Sequence, residues 1–73
     1  MSKLPQVSGS DVISALLKLG FTVRRQHGSH IIMRRDNPYA QTVIPDHRQI
    51  DRGTLRAILR QSGITADELI KML

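Results

Sequence analysis

The chain has no cysteine and no tryptophan, and only one phenylalanine and one tyrosine among its 73 residues. Each scarcity excludes something. Without cysteine there is no disulfide framework, no zinc ribbon and no thiol nucleophile. One Phe and one Tyr cannot build the platform of stacked aromatics on which many single-strand readers hold bases. No apolar run approaches the ~18–20 residues of a bilayer span, so no membrane partner is expected. Residues 1–10 lack the apolar core of a signal peptide, and a cytoplasmic location is expected. The length allows one small domain, residues 1–73. Below ~70–80 residues a single core seldom supplies more than ~3–5 kcal/mol of net stability. Apolar residues make up 40% of the chain, which is enough for a folded rather than a disordered chain.

Positive charge is what the chain does have. Eleven Lys and Arg stand against six Asp and Glu, a net charge of +5. The excess is local. Arg24, Arg25, Arg34, Arg35, Arg48, Arg52, Arg56 and Arg60 share their stretch with Asp36, Asp46 and Asp51 alone. Elsewhere Lys3, Lys18 and Lys71 balance Asp11, Asp67 and Glu68. Every basic residue in the excess is Arg, whose planar fork of donors fits phosphate oxygens bidentately. The segment therefore reads as a nucleic-acid backbone surface, with Arg24, Arg25, Arg34, Arg35, Arg48 and Arg52 as candidate contacts. An acidic protein partner would use the same surface, and a solvated basic face is the plainest alternative. Shape and phosphate recognition, as in double-stranded RNA-binding domains, suits an aromatic-poor chain best.

Residues 7–20 read as a helix. Ser8 is the candidate N-cap and Asp11 completes a short capping box. Ile13, Leu16 and Leu17 form an apolar face with Val12 and Leu19 beside it. Gly20 suits the left-handed position after the helix. Residues 21–44 read as three short strands, broken at 27–29 and 36–38. Two registers compete in the first hairpin. A two-residue turn at Gly28-Ser29 would put Phe21 and Val23 on the face of His30, Ile32 and Arg34. A three-residue turn at 27–29 puts them with Ile31 and Met33, and so separates apolar from polar side chains. The second register is expected. It leaves Thr22, Arg24, Gln26, His30, Ile32 and Arg34 on an open face. A second helix follows over about 51–62, with Leu55, Ile58 and Leu59 as its apolar stripe, Arg52, Arg56 and Arg60 as a basic row, and Gly63 as its end. Thr65 and Glu68 form a capping box for a last short helix, whose Leu69, Ile70 and Leu73 can close the core edge. The expected fold class is α+β, in the order α-β-β-β-α-α. A three-stranded antiparallel sheet would carry the helices on one face, as in a double-stranded RNA-binding domain.

His27, His30 and His47 are the groups able to exchange protons near neutrality. His27 and His30 have an H-x-x-H spacing, but no carboxylate or Cys reinforces it, and no metal or other cofactor is expected. RNA supplies its own nucleophile, the 2′-hydroxyl. One imidazole beside arginines can take that proton while the arginines balance phosphate charge. His30, with Arg24, Arg34 and Gln26 near it in the expected register, is the candidate catalytic residue, and from spacing alone an ordinary surface histidine is the plainer reading. Gly28 and Ser29 form the turn that positions it.

Three motifs carry a resemblance to a known family. Gly28-Ser29-His30 leads into an apolar strand. Val43-Ile44-Pro45-Asp46-His47 is the second motif. Arg52-Gly53-Thr54-Leu55-Arg56-Ala57-Ile58-Leu59-Arg60-Gln61-Ser62-Gly63-Ile64-Thr65 is the third. In this order they resemble the HicA toxins of bacterial and archaeal toxin–antitoxin pairs. The first helix ending in Leu19-Gly20-Phe21 fits as well. The resemblance implies a double-stranded RNA-binding-like fold, endonuclease activity on mRNA without a cofactor, and a HicB-type antitoxin partner that covers the active surface. The family's single functional histidine matches His30 by its place after Gly28-Ser29. His47 matches a second recurring histidine with a structural or substrate-adjacent part. Many members have a polar or aromatic residue after the histidine, where this chain has Ile31, which faces inward in the expected register.

Two other readings compete. A non-catalytic double-stranded RNA-binding module differs from the toxin only at His30. A helix-turn-helix DNA binder would use the last two helices. Its recognition helix would then present Asp67 and Glu68 at its N-terminal end, where they repel phosphate.

Overall fold

The computed structural model describes residues 3–73. The elements are α1 (Gly9–Lys18), β1 (Thr22–His27), β2 (His30–Asp36), β3 (Tyr39–Pro45), α2 (Arg52–Ser62) and α3 (Ala66–Met72). The strands form one antiparallel sheet in the order β1-β2-β3. With three helices this is the expected α+β fold in the α-β-β-β-α-α order.

The helix ends follow the local chemistry. Ser8 caps α1: its Oγ accepts from the Asp11 N–H at 3.0 Å, and the Asp11 carboxylate accepts from the Ser8 N–H at 3.0 Å. Thr65 and Glu68 make the same reciprocal pair at the start of α3. Each box satisfies two of the N–H groups a helix start leaves free. Asp51, not foreseen as a cap, accepts from the Thr54 N–H at 2.7 Å and opens α2. Gly20 and Gly63 take φ of +94° and +74° just past α1 and α2, a region that costs a side chain steric strain.

One face of the sheet meets the helices. Ile31, Met33, Ala40, Thr42 and Ile44 point there, against Val12, Ala15 and Leu16 of α1, Leu55, Ile58 and Leu59 of α2, and Leu69 of α3. Phe21, Ile50 and Ile64 close the sides. Thr42 is buried and donates to Gln61 Oε1 at 2.9 Å, so this polar atom is not left unpaired in the core. The apolar stripe of α1 is turned from the expected one: Val12, Ala15 and Leu16 are buried, while Leu17 is half exposed. In α3, Leu69 is buried and Met72 packs at its side, whereas Ile70 and Leu73 are exposed.

The first hairpin corrects the expected register. Its turn is two residues long, because His27 pairs with His30. Gly28 sits at φ +58° and Ser29 does not have positive φ, the pattern of a Gly-first type II′ turn. Gln26 pairs with Ile31 and Arg25 with Ile32, but Val23 pairs with Met33 and Thr22 with Arg34. A bulge at Arg24 absorbs the extra residue. The two-residue register holds near the turn and the expected register holds at the outer end. The bulge thus keeps Val23 with Met33 while allowing the tighter turn. Gln26 leaves the open face, and Arg25 and His27 take its place.

Candidate functional site

The open face carries alternate residues of the three strands. Across it run His27, His30 and Pro45; then Arg25, Ile32 and Val43; then Thr22, Arg34 and Gln41. At the bulge Arg24 joins this face: Arg24, Arg25, Arg34, Ile32 and Gln41 line one depression of about 320 Å³. Alternation alone would send one of two successive arginines to each side. The bulge brings both to the same side as Arg34. Arg34 Nε lies 2.9 Å from Asp36 Oδ1. The N–H points off the line to that oxygen, so the contact is a charge pairing and the Nε hydrogen has no acceptor.

His30 stands at the other end of this face, at the start of β2. It lines a groove of about 430 Å³ with Val43, Pro45, His47, Gln49, Ile50, Asp51 and Thr54. The groove is built where the β3–α2 connection folds over the end of the sheet. Several backbone bonds fix that connection. The Asp46 N–H donates to Ser29 O at 2.6 Å, tying it to the turn that carries His30. The Gly9 N–H donates to His47 O at 2.8 Å, and the Ile50 N–H to Val7 O at 2.9 Å. Gly9 is needed for this approach. A Cβ there would collide with the Pro45 carbonyl oxygen and lie 3.1 Å from Asp46 Cα. Sequence reasoning passed over Gly9, since a glycine at a helix start carries no signal of a neighbour 36 positions away in the chain.

Among the described residues, neither the His30 nor the His47 imidazole has a hydrogen-bond or ion-pair partner. Both are exposed and free to meet a ligand. Asp51 in the same groove is engaged. The Thr54 hydroxyl first and its backbone N–H second hold the Asp51 carboxyl below its ordinary pKa.

The candidate arginines separate into groups. Arg24, Arg25 and Arg34 share the open face. Arg48 and Arg52 are exposed on the connection and at the first turn of α2, in depressions that share Gln49 with the groove. Arg35 is not brought to this face. It pairs with Ala40 on the helix side, stacks its guanidinium 4.7 Å from the Phe21 ring centre, and donates from Nε to Pro38 O at 3.0 Å. Gly28 and Ser29 form the turn that leads into His30. Among the described residues no three His, Asp or Glu side chains gather as a metal site. No helix of the described residues is long and apolar enough to cross a membrane.

A family model described as HicA toxin of bacterial toxin-antitoxin matches residues 9–64. The chain belongs to the HicA toxin family. The matched stretch runs from the first residue of α1 through all three strands and α2 to Ile64, so it contains every element that builds the HicA groove and its open face. Membership makes the chain a toxin of a toxin–antitoxin system and implies an antitoxin partner. A comparison with curated proteins finds no match.

Proposed function

We propose that this HicA-family chain is an endoribonuclease that cleaves mRNA in the cytoplasm with His30 as catalytic residue. A HicB-type antitoxin silences it by covering the open face. The observation that carries the reading is the placement of His30 on an uncovered sheet face that also holds Arg24, Arg25 and Arg34. The imidazole takes the proton of a ribose 2′-hydroxyl, and the resulting oxyanion attacks the adjacent phosphorus. The arginines hold backbone phosphates by charge and paired N–H donors. The nucleophile belongs to the RNA, so the mechanism asks no metal to activate water. The face is also exposed and basic, which suits an antitoxin that competes with RNA for the same arginines.

The test is cleavage of purified mRNA in the presence of EDTA. The reading expects fragments ending in 2′,3′-cyclic phosphate and 5′-hydroxyl groups, lost in His30→Ala. Binding of RNA without cleavage would leave the non-catalytic RNA-binding module. Ends bearing 5′-phosphate would require water as nucleophile and would remove this mechanism.

A further inference from the structure

The groove that holds His30 contains a second imidazole. His47 comes from the β3–α2 connection and lines the same space of about 430 Å³. Its backbone is fixed on both sides: the Gly9 N–H donates to His47 O at 2.8 Å, and the His47 N–H donates to Pro45 O at 2.9 Å. The Asp46–Ser29 bond locks the connection to the turn beneath His30. The side chain, in contrast, is exposed and has no partner among the described residues. A pinned backbone with an exposed, unpartnered imidazole on a residue that lines the groove leaves that group available to a ligand.

Cleavage through the 2′-hydroxyl poses a geometric demand. Attack and departure lie in line, so the attacking 2′-oxygen and the leaving 5′-oxygen stand on opposite sides of phosphorus. A single imidazole at the 2′-oxygen cannot at that moment protonate the 5′-oxygen. An alkoxide is a poor leaving group, and a placed general acid contributes about 10²–10⁴-fold. Of the side chains that line the groove, His30, His47 and Asp51 can carry a proton. Asp51 is occupied by Thr54 and held ionised, so it has no proton to give. The other charged groups around His47 do not fill the role either. Asp46 and Arg48 flank it in the chain, and Asp11 lies in the first turn of α1 near Arg48. None of the three lines the groove with His30, and a guanidinium does not give up its proton.

We infer that His47 is the general acid of RNA cleavage, protonating the leaving 5′-oxygen as His30 removes the 2′-hydroxyl proton. The inference rests on the endoribonuclease reading above. The balance is complete. The 2′-O–H bond breaks and its proton goes to His30. The 2′-oxygen bonds to phosphorus. The bond from phosphorus to the 5′-oxygen breaks, its electron pair stays on that oxygen, and the oxygen takes a proton from the His47 imidazolium. The products are a 2′,3′-cyclic phosphate and a 5′-hydroxyl. Exchange with water returns both imidazoles to their starting states.

The experiment uses oligoribonucleotides spanning a cleavage site mapped with the wild-type chain, one with the natural linkage and one with a bridging 5′-sulfur. A thiolate leaves without protonation. His47→Ala and His47→Gln should cleave the natural linkage about 10²–10⁴-fold more slowly than wild type, and the sulfur linkage within about tenfold of it. His30→Ala should be slow on both. The wild-type rate should be bell-shaped with pH, and the His47 variants should lose the alkaline limb and keep the acidic one. Equal slowing on both linkages would make His47 a structural residue and overturn the inference. Unchanged rates on both would overturn it too. If the wild type cleaves neither RNA nor mRNA, the endoribonuclease reading itself fails, a result distinct from failure at His47 alone.

Discussion

On β2, Ile31 and Met33 are 7% and 0% exposed and face the helices, while His30, Ile32 and Arg34, one step out of phase, face away from them. The two faces of one strand thus have separate work. The inner face holds the chain together: methyl-rich side chains from β2 and β3 meet those of three helices, while β1 buries none of its own. The outer face adds little burial and collects the His27 and His30 imidazoles, three arginines and two aliphatic side chains, Ile32 and Val43. A sheet covered on one side leaves the other for a partner, and the two-residue pleat makes the division without extra chain. The comparison also explains how so small a protein tolerates a basic surface. Arg24 and Arg25 lie where water still solvates them, Arg34 is paired with Asp36, and the one turned toward the helices, Arg35, stacks on Phe21.

The sharpest way to break this division is to change one residue on each face. His30→Ala should abolish mRNA cleavage, with a loss of at least about 10²–10⁴-fold, and leave the thermal midpoint in place. Met33→Ala should do the reverse in origin. A buried Met-to-Ala change costs about 2–5 kcal/mol, comparable with the ~3–5 kcal/mol that a core of this size supplies. That variant should be largely unfolded by circular dichroism, and inactive for that reason. If His30→Ala unfolds the chain, the faces are not separate.

Gly9→Ala tests the join between them. The added Cβ meets the Pro45 carbonyl oxygen, so the connection that carries His47 must shift. We expect a loss of about 1–3 kcal/mol in denaturant unfolding, with cleavage falling further than the unfolded fraction explains. A neutral Gly9→Ala would mean that the connection adapts freely.

Smaller effects separate the arginines. Arg34→Ala, Arg24→Ala and Arg25→Ala should each weaken RNA binding and lower its salt slope by about one. Arg35→Ala should leave that slope alone and lose about 0.5–1 kcal/mol of stability with its place over Phe21. Equal slopes in Arg34→Ala and wild type would mean that the open face does not hold the RNA backbone.

The smallest effect is a pH dependence at Asp51. Its carboxyl titrates below the ordinary value in the folded chain, because the ionised form accepts from Thr54. The contribution is therefore full above the ordinary carboxylate range. It declines as pH falls, since the unfolded chain takes up the proton first, and it is gone once the folded carboxyl is protonated. Asp51→Asn, which still caps a helix, should flatten the acid side of the stability–pH curve.

The parts of the fold that were legible in the sequence are those governed by short-range chemistry. Ser8 with Asp11, and Thr65 with Glu68, cap helices because the bonds lie within one turn. Gly20 and Gly63 end helices because few other residues take positive φ. The order of elements follows from periodicity. The first hairpin was misread at its turn because two rules disagreed there. Alternation favoured one register over residues 22–23 and turn chemistry another over 25–27, and a bulge at Arg24 satisfies both. No local pattern marks such a bulge, yet it sets which arginines stand beside Arg34. The same limit applies to Arg35, whose partner Phe21 is distant in sequence, and to Gly9, whose neighbour is Pro45. For the site, it is the resemblance of the motifs, not spacing alone, that points to His30. Its shared groove with His47 depends on a connection folded back over the sheet, which spacing along the chain does not express.

The most direct test of the account is controlled expression of the wild-type chain and His30→Ala in cells without an antitoxin, after purified samples have been matched for thermal stability. Growth and transcript integrity are followed together. The account predicts that the wild type arrests growth with fragmented mRNA, and that the equally stable variant does neither. Equal growth arrest by the two proteins would contradict it, because the open face would then poison the cell without the His30 imidazole.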